Sequence, residues 1–334
     1  MLIGLNMNRC AVFDYAMSTA SGYAAFLDPA VNAQLKQILN YWGKYLLSPE
    51  SANVLNSSNH GWFGPTAQRD IMTVANAPYK TDHRFEDFFV CDTQKLYHGY
   101  DCWDSFFTRR VKDEVRPVSD PDNDNIIVNA CESKTYVVAY NVKLRDHFWI
   151  KGQPYSVRDM LAGDPLADHF AGGTVYQAFL SALSYHRWHA PVSGTVRRAF
   201  VQDGTYFSEP LFETIASAEL GPRKIHTNGL NVGQGYLSSI ATRAIILIES
   251  QNPVIGLMAF IGIGMVEVST CEITVKEGEY VTKGQQMGMF HFGGSSHCLL
   301  FRKEVKFKGF PEPGLDHNQP VRGKLTEVRM GSSS

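Results

Sequence analysis

A glycine-serine bond interrupts what otherwise reads as buried β structure near the C-terminal end of the chain. The stretch HFGGSSHC, residues 291 to 298, lies between the apolar runs QQMGMF and LLF. A serine hydroxyl in a strained turn can attack the carbonyl group before it, and a glycine there has no Cβ to block the approach. Gly294 and Ser295 form such a pair. Ser296 is the weaker nucleophile because serine, not glycine, precedes it.

The ester that results from such an attack has a defined further chemistry. Base-driven elimination splits the chain and leaves dehydroalanine, which hydrolyses to a pyruvoyl group at the new N-terminus. This ketone forms a Schiff base with a substrate amine and draws electrons from the α-carbon, the task that pyridoxal phosphate performs in other enzymes. The motif therefore favours a prosthetic group made from Ser295 itself, with no pyridoxal phosphate.

Several titratable residues could serve this chemistry, which needs a base, an acidic residue that orients the base, and a proton donor. His186 and His189 lie three residues apart in YHRWHAPVSG, and Glu132 lies in NACESK. An H-x-x-H pair also occurs in zinc sites, but no third ligand with suitable spacing accompanies it, so we expect no metal. His291 and His297 flank the GGSS turn and are candidates for the same pocket.

Two aromatic residues and one arginine each have a structural and a functional interpretation. Tyr206 and Phe207 could line an apolar substrate pocket, although aromatic residues in a strand usually pack in the core. Arg109, in FFTRR, is expected to pair with a carboxylate and anchor its helix rather than contact substrate.

The elements that must position these residues begin with helices. Asp28 can cap a helix that has Pro29 in its first turn and that ends at Ser48 and Pro49. Apolar residues at helical spacing predict its buried face: Val31, Leu35, Ile38, Trp42 and Tyr45. A second helix is expected over residues 104 to 115, with Asp104 as its cap and with Phe107 and Val111 on one face.

The chain becomes rich in β structure after a Pro/Asp/Asn-rich connector at residues 116 to 125. Residues 189 to 207 and 271 to 290 each contain a strand, a glycine turn and a strand, and the second has the V-x-x-G-x-x-V-x-K-G-Q spacing of biotinyl and lipoyl carrier barrels. The carriers' modified lysine motif is missing, which argues against a carrier. We predict an α+β protein: a mainly helical region, residues 1 to 115, and a catalytic domain, residues 116 to 334, with a barrel-sandwich core.

Composition excludes some classes of function. A chain of 334 residues with a net charge of -2 has no basic field for nucleic acid. Its six cysteines form no CxxC pair, and no secretory leader precedes them, which favours a reducing, cytoplasmic location. The most apolar window, residues 254 to 268, is too short for a membrane span and predicts a buried strand pair, so we expect no stable membrane insertion.

Several of these motifs, in this order, resemble the phosphatidylserine decarboxylase family. They are FFTRR with RPV, YHRWHAPVSGTV, GTYFSEP and the long segment that ends in FHFGGSS, and the similarity covers roughly residue 85 to the end. In detail ACES, YHRWHAPV and GMFHFGGSS are most similar to the soluble fungal branch that decarboxylates L-tryptophan. That likeness extends into the helical N-terminal region.

The resemblance implies roles for individual residues. It implies cleavage between Gly294 and Ser295, with Ser295 becoming the pyruvoyl group. His189 would be the base of the self-processing triad, and His186 would take part in decarboxylation. Glu132 aligns with an aspartate of the membrane enzymes. The sequence IATRAII stands where many phosphatidylserine enzymes have N-E-R, which weakens the phospholipid interpretation.

These observations predict a pyruvoyl-dependent decarboxylase of a small-molecule amino acid, converting L-tryptophan to tryptamine and CO2. Its large β chain and its α chain of about forty residues, beginning at Ser295, are expected to stay associated. One alternative is a phosphatidylserine decarboxylase that makes phosphatidylethanolamine. The alternative from another class is a non-enzymatic barrel-sandwich binding protein. The sequence leaves the breadth of substrates and a homo-oligomer open.

Overall fold

The described helices lie mainly in the first third of the chain, and all the described strands lie after residue 125. The computed structural model describes residues 13–17, 19–145, 155–208, 210, 233–265, 270–291 and 295–329. The described α-helices are α1 Asp14–Met17, α2 Ala20–Leu27, α3 Pro29–Leu46, α4 Pro65–Asn76, α5 Phe85–Phe88, α6 Trp103–Phe107, α7 Val157–Met160 and α8 Gln234–Ile240. Short 3-10 helices lie at Pro49–Val54, Ala77–Tyr79, Leu96–Gly99 and Pro165–Phe170.

The described strands fall into three sheets. They are β1 Ile126–Val128, β2 Lys134–Tyr140, β3 Thr174–Leu180, β4 Arg187–His189, β5 Gly194–Gln202, β6 Arg243–Ser250, β7 Leu257–Gly264, β8 Thr270–Ile273, β9 Tyr280–Val281, β10 Gln286–His291, β11 Ser295–Phe301 and β12 Lys324–Glu327. The largest sheet has the order β2-β3-β11-β7-β6-β5-β9, a second has the order β4-β10-β8, and β1 pairs with β12.

The helix α3 begins as the sequence predicts, but it buries a different face. The carboxylate of Asp28 accepts hydrogen bonds from the backbone amides of residues 30 and 31, at 2.7 and 3.1 Å. The predicted face is confirmed at Leu35, which is buried, but it is wrong at Ile38 and Tyr45, which are 59% and 47% exposed. The buried residues of α3 are Asn32, Leu35, Leu39 and Gly43. Contacts with the rest of the protein therefore bury a face of α3 that only partly coincides with its apolar stripe.

The helix expected over residues 104 to 115 is much shorter. It covers only Trp103–Phe107, its N-cap is Cys102, and Asp104 lies inside the first turn. Val111 forms an isolated antiparallel bridge with Phe89. The chain therefore leaves the helix soon after Phe107, and the predicted shared face does not exist.

The seven-stranded sheet is buried on both faces. Alternate side chains of its central strands enter two different clusters, with Phe260 and Leu299 on one side and Ile261 and Leu300 on the other. The first side packs against the three-stranded sheet through Trp188. The second packs against α7, α8 and the 3-10 helix Pro165–Phe170. Three layers result, which is an α+β arrangement.

Two predictions about the β region change in detail. The barrel-sandwich core is not observed among the described residues, because residues 189 to 207 contribute β5 to the large sheet whereas β8 and β10 form the small one, and neither sheet closes on itself. The apolar window of residues 254 to 268 contributes one buried central strand, β7, rather than a strand pair. A strand that is buried on both faces has a continuously apolar sequence, which explains the length of the apolar window.

The N-terminal helices form two aromatic-rich clusters. The larger one joins α4, α5 and α6 and includes Trp62, Phe85 and Phe106. The smaller one joins α1, α2 and α3. In the part of the chain that is described, no helix combines the length and the apolar character needed to cross a membrane.

Candidate active site

The serine of the predicted cleavage bond is the first residue of a central buried strand. Ser295 lies opposite Leu180 on β3 and Gly264 on β7. It is fully buried, and its Oγ has no hydrogen-bond partner among the described residues. Gly294, the other half of the predicted bond, lies outside the described residues, as do residues 292 and 293. The hydroxyl group thus lies at a strand end with no competing partner among the described residues.

The next residue along the same face of β11 is a second buried polar group. His297 follows Ser295 by two positions, so both side chains point to one side of the sheet. Its ring lies 5.9 Å from the rings of both Tyr176 and Phe260. Neither ring nitrogen has a partner among the described residues, and burial lowers the pKa of His297 to about 3. The imidazole is therefore neutral and lies between aromatic rings.

His189 is buried and has both ring nitrogens in use. Its Nδ1 is 2.7 Å from the carbonyl oxygen of Gly284, and its Nε2 is 2.9 Å from the hydroxyl of Tyr185. A carbonyl oxygen only accepts, so Nδ1 carries the proton and Nε2 accepts from Tyr185. Burial above all, and then the charges of Arg322 and Arg187, lower the pKa of His189 to about 4. His189 is a neutral imidazole in this arrangement.

The other histidine of the pair lies under a helix. His186 is fully buried, and its ring stacks on Phe107 of α6 with the centroids 4.2 Å apart. Its backbone carbonyl accepts a hydrogen bond from the amide of Phe290, close to the predicted cleavage turn. The strand pairing between β4 and β10 therefore brings His186 near that turn. No hydrogen bond among the described residues joins Ser295 to His186 or to His189.

Glu132 binds an arginine rather than a histidine. Its two carboxylate oxygens accept hydrogen bonds from Nε and Nη2 of Arg116, at 3.0 and 2.7 Å. One of the oxygens also accepts from the backbone amide of Val321 at 2.8 Å. The side chains of Glu132 and Arg116 are only 4% and 1% exposed. The structure thus places Glu132 in a buried ion pair, and no described hydrogen bond joins it to His189.

The three residues expected to line a substrate pocket, His291, Tyr206 and Phe207, make their contacts in two separate parts of the structure. His291 is held between two carboxylates, with Nδ1 2.9 Å from Asp104 and Nε2 2.9 Å from Glu272. Burial by itself lowers the pKa of His291, but Asp104 and then Glu272 raise it above its usual value. Tyr206 and Phe207 pack in the cluster of the N-terminal helices α1, α2 and α3. Their role in a pocket stays a prediction.

The sequence does not predict several side-chain contacts of this region. Tyr185 and Gly284 are the partners of His189. Tyr185 stands beside the histidines in YHRWH, so the motif contained a signal for it, whereas Gly284 is about a hundred residues away along the chain. Arg109 was expected to pair with a carboxylate. It instead donates to the backbone carbonyl of Leu183 and lies 4.5 Å from the ring centroid of Phe89.

Within the described ranges, no group of three or more histidine, cysteine or acidic side chains is arranged to hold a metal ion. The described cysteines are free thiols: Cys91, Cys102, Cys131, Cys271 and Cys298.

Family models match most of the chain. The model described as phosphatidylserine decarboxylase matches residues 103–333, and a second model of the same description matches residues 1–71. The first match includes Glu132, both histidines of the H-x-x-H pair and Ser295.

Curated relatives are similar over nearly the whole chain. A decarboxylase of Amanita muscaria, named iboD, is 42% identical over 91% of this chain and 85% of its own length. The L-tryptophan decarboxylase of Psilocybe cyanescens is 40% identical over 89% of this chain and 69% of its own. The phosphatidylserine decarboxylase proenzyme of Chlamydia trachomatis serovar D is 27% identical over 87% of this chain and 86% of its own.

Proposed function

The chain belongs to the phosphatidylserine decarboxylase family, and from this premise we propose that it is a self-processing, pyruvoyl-dependent decarboxylase of amino acids. The proposed cleavage lies between Gly294 and Ser295, and the proposed reaction converts L-tryptophan to tryptamine and CO2. The word proenzyme in the names of several relatives supports maturation by cleavage.

The observation that carries the proposal is the placement of Ser295. Its hydroxyl is fully buried and has no partner among the described residues, directly after the two glycines of the turn. A buried hydroxyl without a partner is costly, by about 1–3 kcal/mol, and such groups concentrate where chemistry takes place. Ser295 therefore fits a residue that is converted to a pyruvoyl group. That group, when formed, supplies an electrophilic carbonyl for the substrate amine.

The histidines have separate proposed tasks. His189 is neutral, as a base must be, because burial lowers its pKa to about 4. Its Nε2 accepts from Tyr185, so taking the Ser295 proton requires this hydrogen bond to open or Tyr185 to relay the proton. His186, stacked on Phe107 near the turn, is proposed to return a proton to the substrate carbon. Apo geometry of catalytic hydrogen bonds is often loose, so the missing contacts with Ser295 do not exclude these tasks.

The strand that begins at Ser295 explains why two cleaved chains would stay together. The strand β11 is paired on one side with β3 and on the other with β7 over its whole length, Ser295–Phe301. All seven of its residues are buried. A small chain that begins at Ser295 would hence remain the third strand of the seven-stranded sheet.

The proposed substrate rests on the relatives. The two relatives named L-tryptophan decarboxylase are 40% and 37% identical to this chain, and the phosphatidylserine decarboxylase proenzymes are 26–28% identical. Phosphatidylserine is the second candidate, because the matching family model has that name. The amino acid is preferred because two of the three relatives at 37–42% identity are named L-tryptophan decarboxylase, and the third is named only as a decarboxylase.

Intact mass measurement tests the cleavage. We expect two fragments, the smaller beginning at residue 295 with a terminus that borohydride reduces, and one uncut chain for Ser295→Ala. The matched control, Ser296→Ala, changes the neighbouring serine, whose Oγ lies 3.4 Å from Nε2 of Gln177, and should still be cut. An uncut wild-type chain with an ordinary serine at 295 would leave a non-enzymatic binding protein as the better interpretation.

Release of CO2 tests the reaction and the roles of the histidines. Purified protein is supplied with L-tryptophan, other aromatic amino acids and phosphatidylserine in separate assays. Activity on phosphatidylserine alone would overturn the proposed substrate. His189→Ala should be cut poorly, whereas His186→Ala should be cut and turn over slowly. Equal cleavage defects in the two variants would contradict this division of tasks.

A further inference from the structure

A cavity of about 400 Å³ lies against His189, and its lining includes residues that follow α6, together with Arg322 near the C-terminal end of the described chain. Its charged lining residues are Arg110, Arg187, Arg322 and Asp113. Three guanidinium groups thus face one carboxylate, and the neutral His189 adds no charge. This excess of positive charge is not used by the proposed chemistry of Ser295.

The most buried of these arginines has free donors. Arg322 is 7% exposed, and its Nη1 donates to Asp113 at 2.7 Å. Its Nε and Nη2 are buried and have no partner among the described residues. A buried guanidinium with unused donors is costly, which points to a ligand that completes it.

The backbone of the same residue is also unusual. Arg322 has a φ of 63°, a left-handed conformation that costs a non-glycine residue about 1–3 kcal/mol. Hydrogen bonds hold it there, because its amide donates to Asn129 and its carbonyl accepts from the amide of Ser119. The fold therefore fixes the direction of this side chain at the cavity.

The other two arginines of the lining add further donors. Arg187 donates through Nε to the carbonyl of Thr108 and through Nη1 to Gln286, and no described hydrogen bond uses its Nη2. Arg110 is exposed and its guanidinium makes no described hydrogen bond or ion pair. Donors from three separate segments consequently line one space.

The nearby acidic residues are already engaged. Asp104 and Glu272 bind His291, and Glu132 binds Arg116. Asp113 is the acidic residue that lines the cavity, and its side chain is 89% exposed. Asp113 offsets one of the three positive charges, and Asp104 and Glu272, which also attract Arg187, are shared with His291, so the cavity keeps a net positive charge.

We propose that this cavity is a binding site for a compact oxyanion, a carboxylate or phosphate group, held by Arg110, Arg187 and Arg322. The planar fork of a guanidinium group matches the paired oxygens of both anions. On the proposed decarboxylation, the bound anion is not the leaving carboxylate. Fixed cations would stabilise the carboxylate more in the ground state than in the transition state, because its negative charge moves away as CO2 leaves. This would slow the reaction. Tryptamine has no oxyanion group, so on the proposed reaction the anion belongs to a separate ligand, and a phosphate retained in the product would fit only the phosphatidylserine alternative.

Calorimetric titration of the full chain with inorganic phosphate and, separately, with acetate tests the site at constant ionic strength. We expect saturable one-to-one binding with a dissociation constant of about 1 mM or less for at least one of them. The tighter anion identifies the ligand as a phosphate or a carboxylate. Binding requires neither cleavage nor turnover, so Ser295→Ala should bind equally well, and the result is independent of the proposed function.

Arginine variants localise the binding. Arg322→Gln and Arg110→Gln should each weaken it about tenfold, the loss expected for one charge-assisted hydrogen bond. Arg110 is exposed, so its variant keeps the test valid if Arg322→Gln does not fold. The matched control is Arg69→Gln on α4, whose side chain is 68% exposed and pairs with Asp70. Absence of saturable binding, or equal binding by Arg110→Gln and the wild type, would overturn the proposal.

Discussion

Replacing Glu132 by glutamine should destabilise the fold by about 3–5 kcal/mol, the usual cost of breaking a buried ion pair from one side. The substitution keeps the size of the side chain but removes its charge. Arg116 would remain buried, because it also donates to the carbonyl of Ala75 at 2.7 Å and lies 4.6 Å from the ring centroid of Phe88. An uncompensated guanidinium would thus be left inside the protein.

The geometry supports a value of this size. Two hydrogen bonds of 2.7 and 3.0 Å join Arg116 and Glu132, and both side chains are nearly inaccessible. Unit charges about 4 Å apart attract by about 4 kcal/mol at an effective dielectric constant of 20. The amide of Val321 also loses a charged acceptor. Removing both charges should cost much less, since no buried charge then remains.

Urea unfolding at pH 7 measures this effect, and the Ser295→Ala background keeps a single uncut chain in all samples. The double variant Arg116→Met with Glu132→Leu should recover most of the stability lost in Glu132→Gln. A loss below about 1 kcal/mol, or no recovery in the double variant, would refute the reasoning. In a separate chain that keeps Ser295, slow self-cleavage of Glu132→Gln, together with native stability in the uncut background, would instead support Glu132 as the acidic member of the processing triad.

Two further predictions concern buried histidines in the same background. The pKa values of His189, about 4, and His297, about 3, mean that the unfolded chain binds protons that the folded chain does not, so the free energy of unfolding should fall by about 3 kcal/mol for each histidine between pH 6.5 and pH 4. Urea curves at pH 7, 5.5 and 4.5 check this, and a flat profile would contradict it. His297→Leu should raise the stability by about 1–3 kcal/mol at pH 7, because two buried nitrogens without described partners disappear. A loss of stability on thermal melting would indicate a partner such as a bound water.

Local features of the fold could be predicted from the sequence, and features set by distant contacts could not. The cap at Asp28 depends on two neighbouring amides, so it was predicted correctly. The buried face of α3 depends on what packs against it, and the exposed Ile38 shows that the apolar stripe was a poor guide. Likewise the spacing of residues 271 to 290 indicated strands and turns, but not the sheet that each strand would join.

The candidate site shows the same division. The sequence alone shows that Ser295 follows two glycines and that the two histidines are close along the chain. The partner of Glu132 was not, because Arg116 lies sixteen residues away in a different element. Nor could the cluster at the cavity be foreseen, since Arg110 and Arg322 meet only when the C-terminal segment packs beside α6.

The central position of β11 has a consequence for the order in which this protein folds and is cleaved. The strand has a neighbour on each side only after β3 and β7 have paired with it, and both of these strands precede the cleavage bond in the sequence. On the proposed chemistry, assembly of the sheet must therefore precede the cut. A chain that has not folded would carry no prosthetic group, so maturation would serve as a quality control that lets only correctly folded molecules become active.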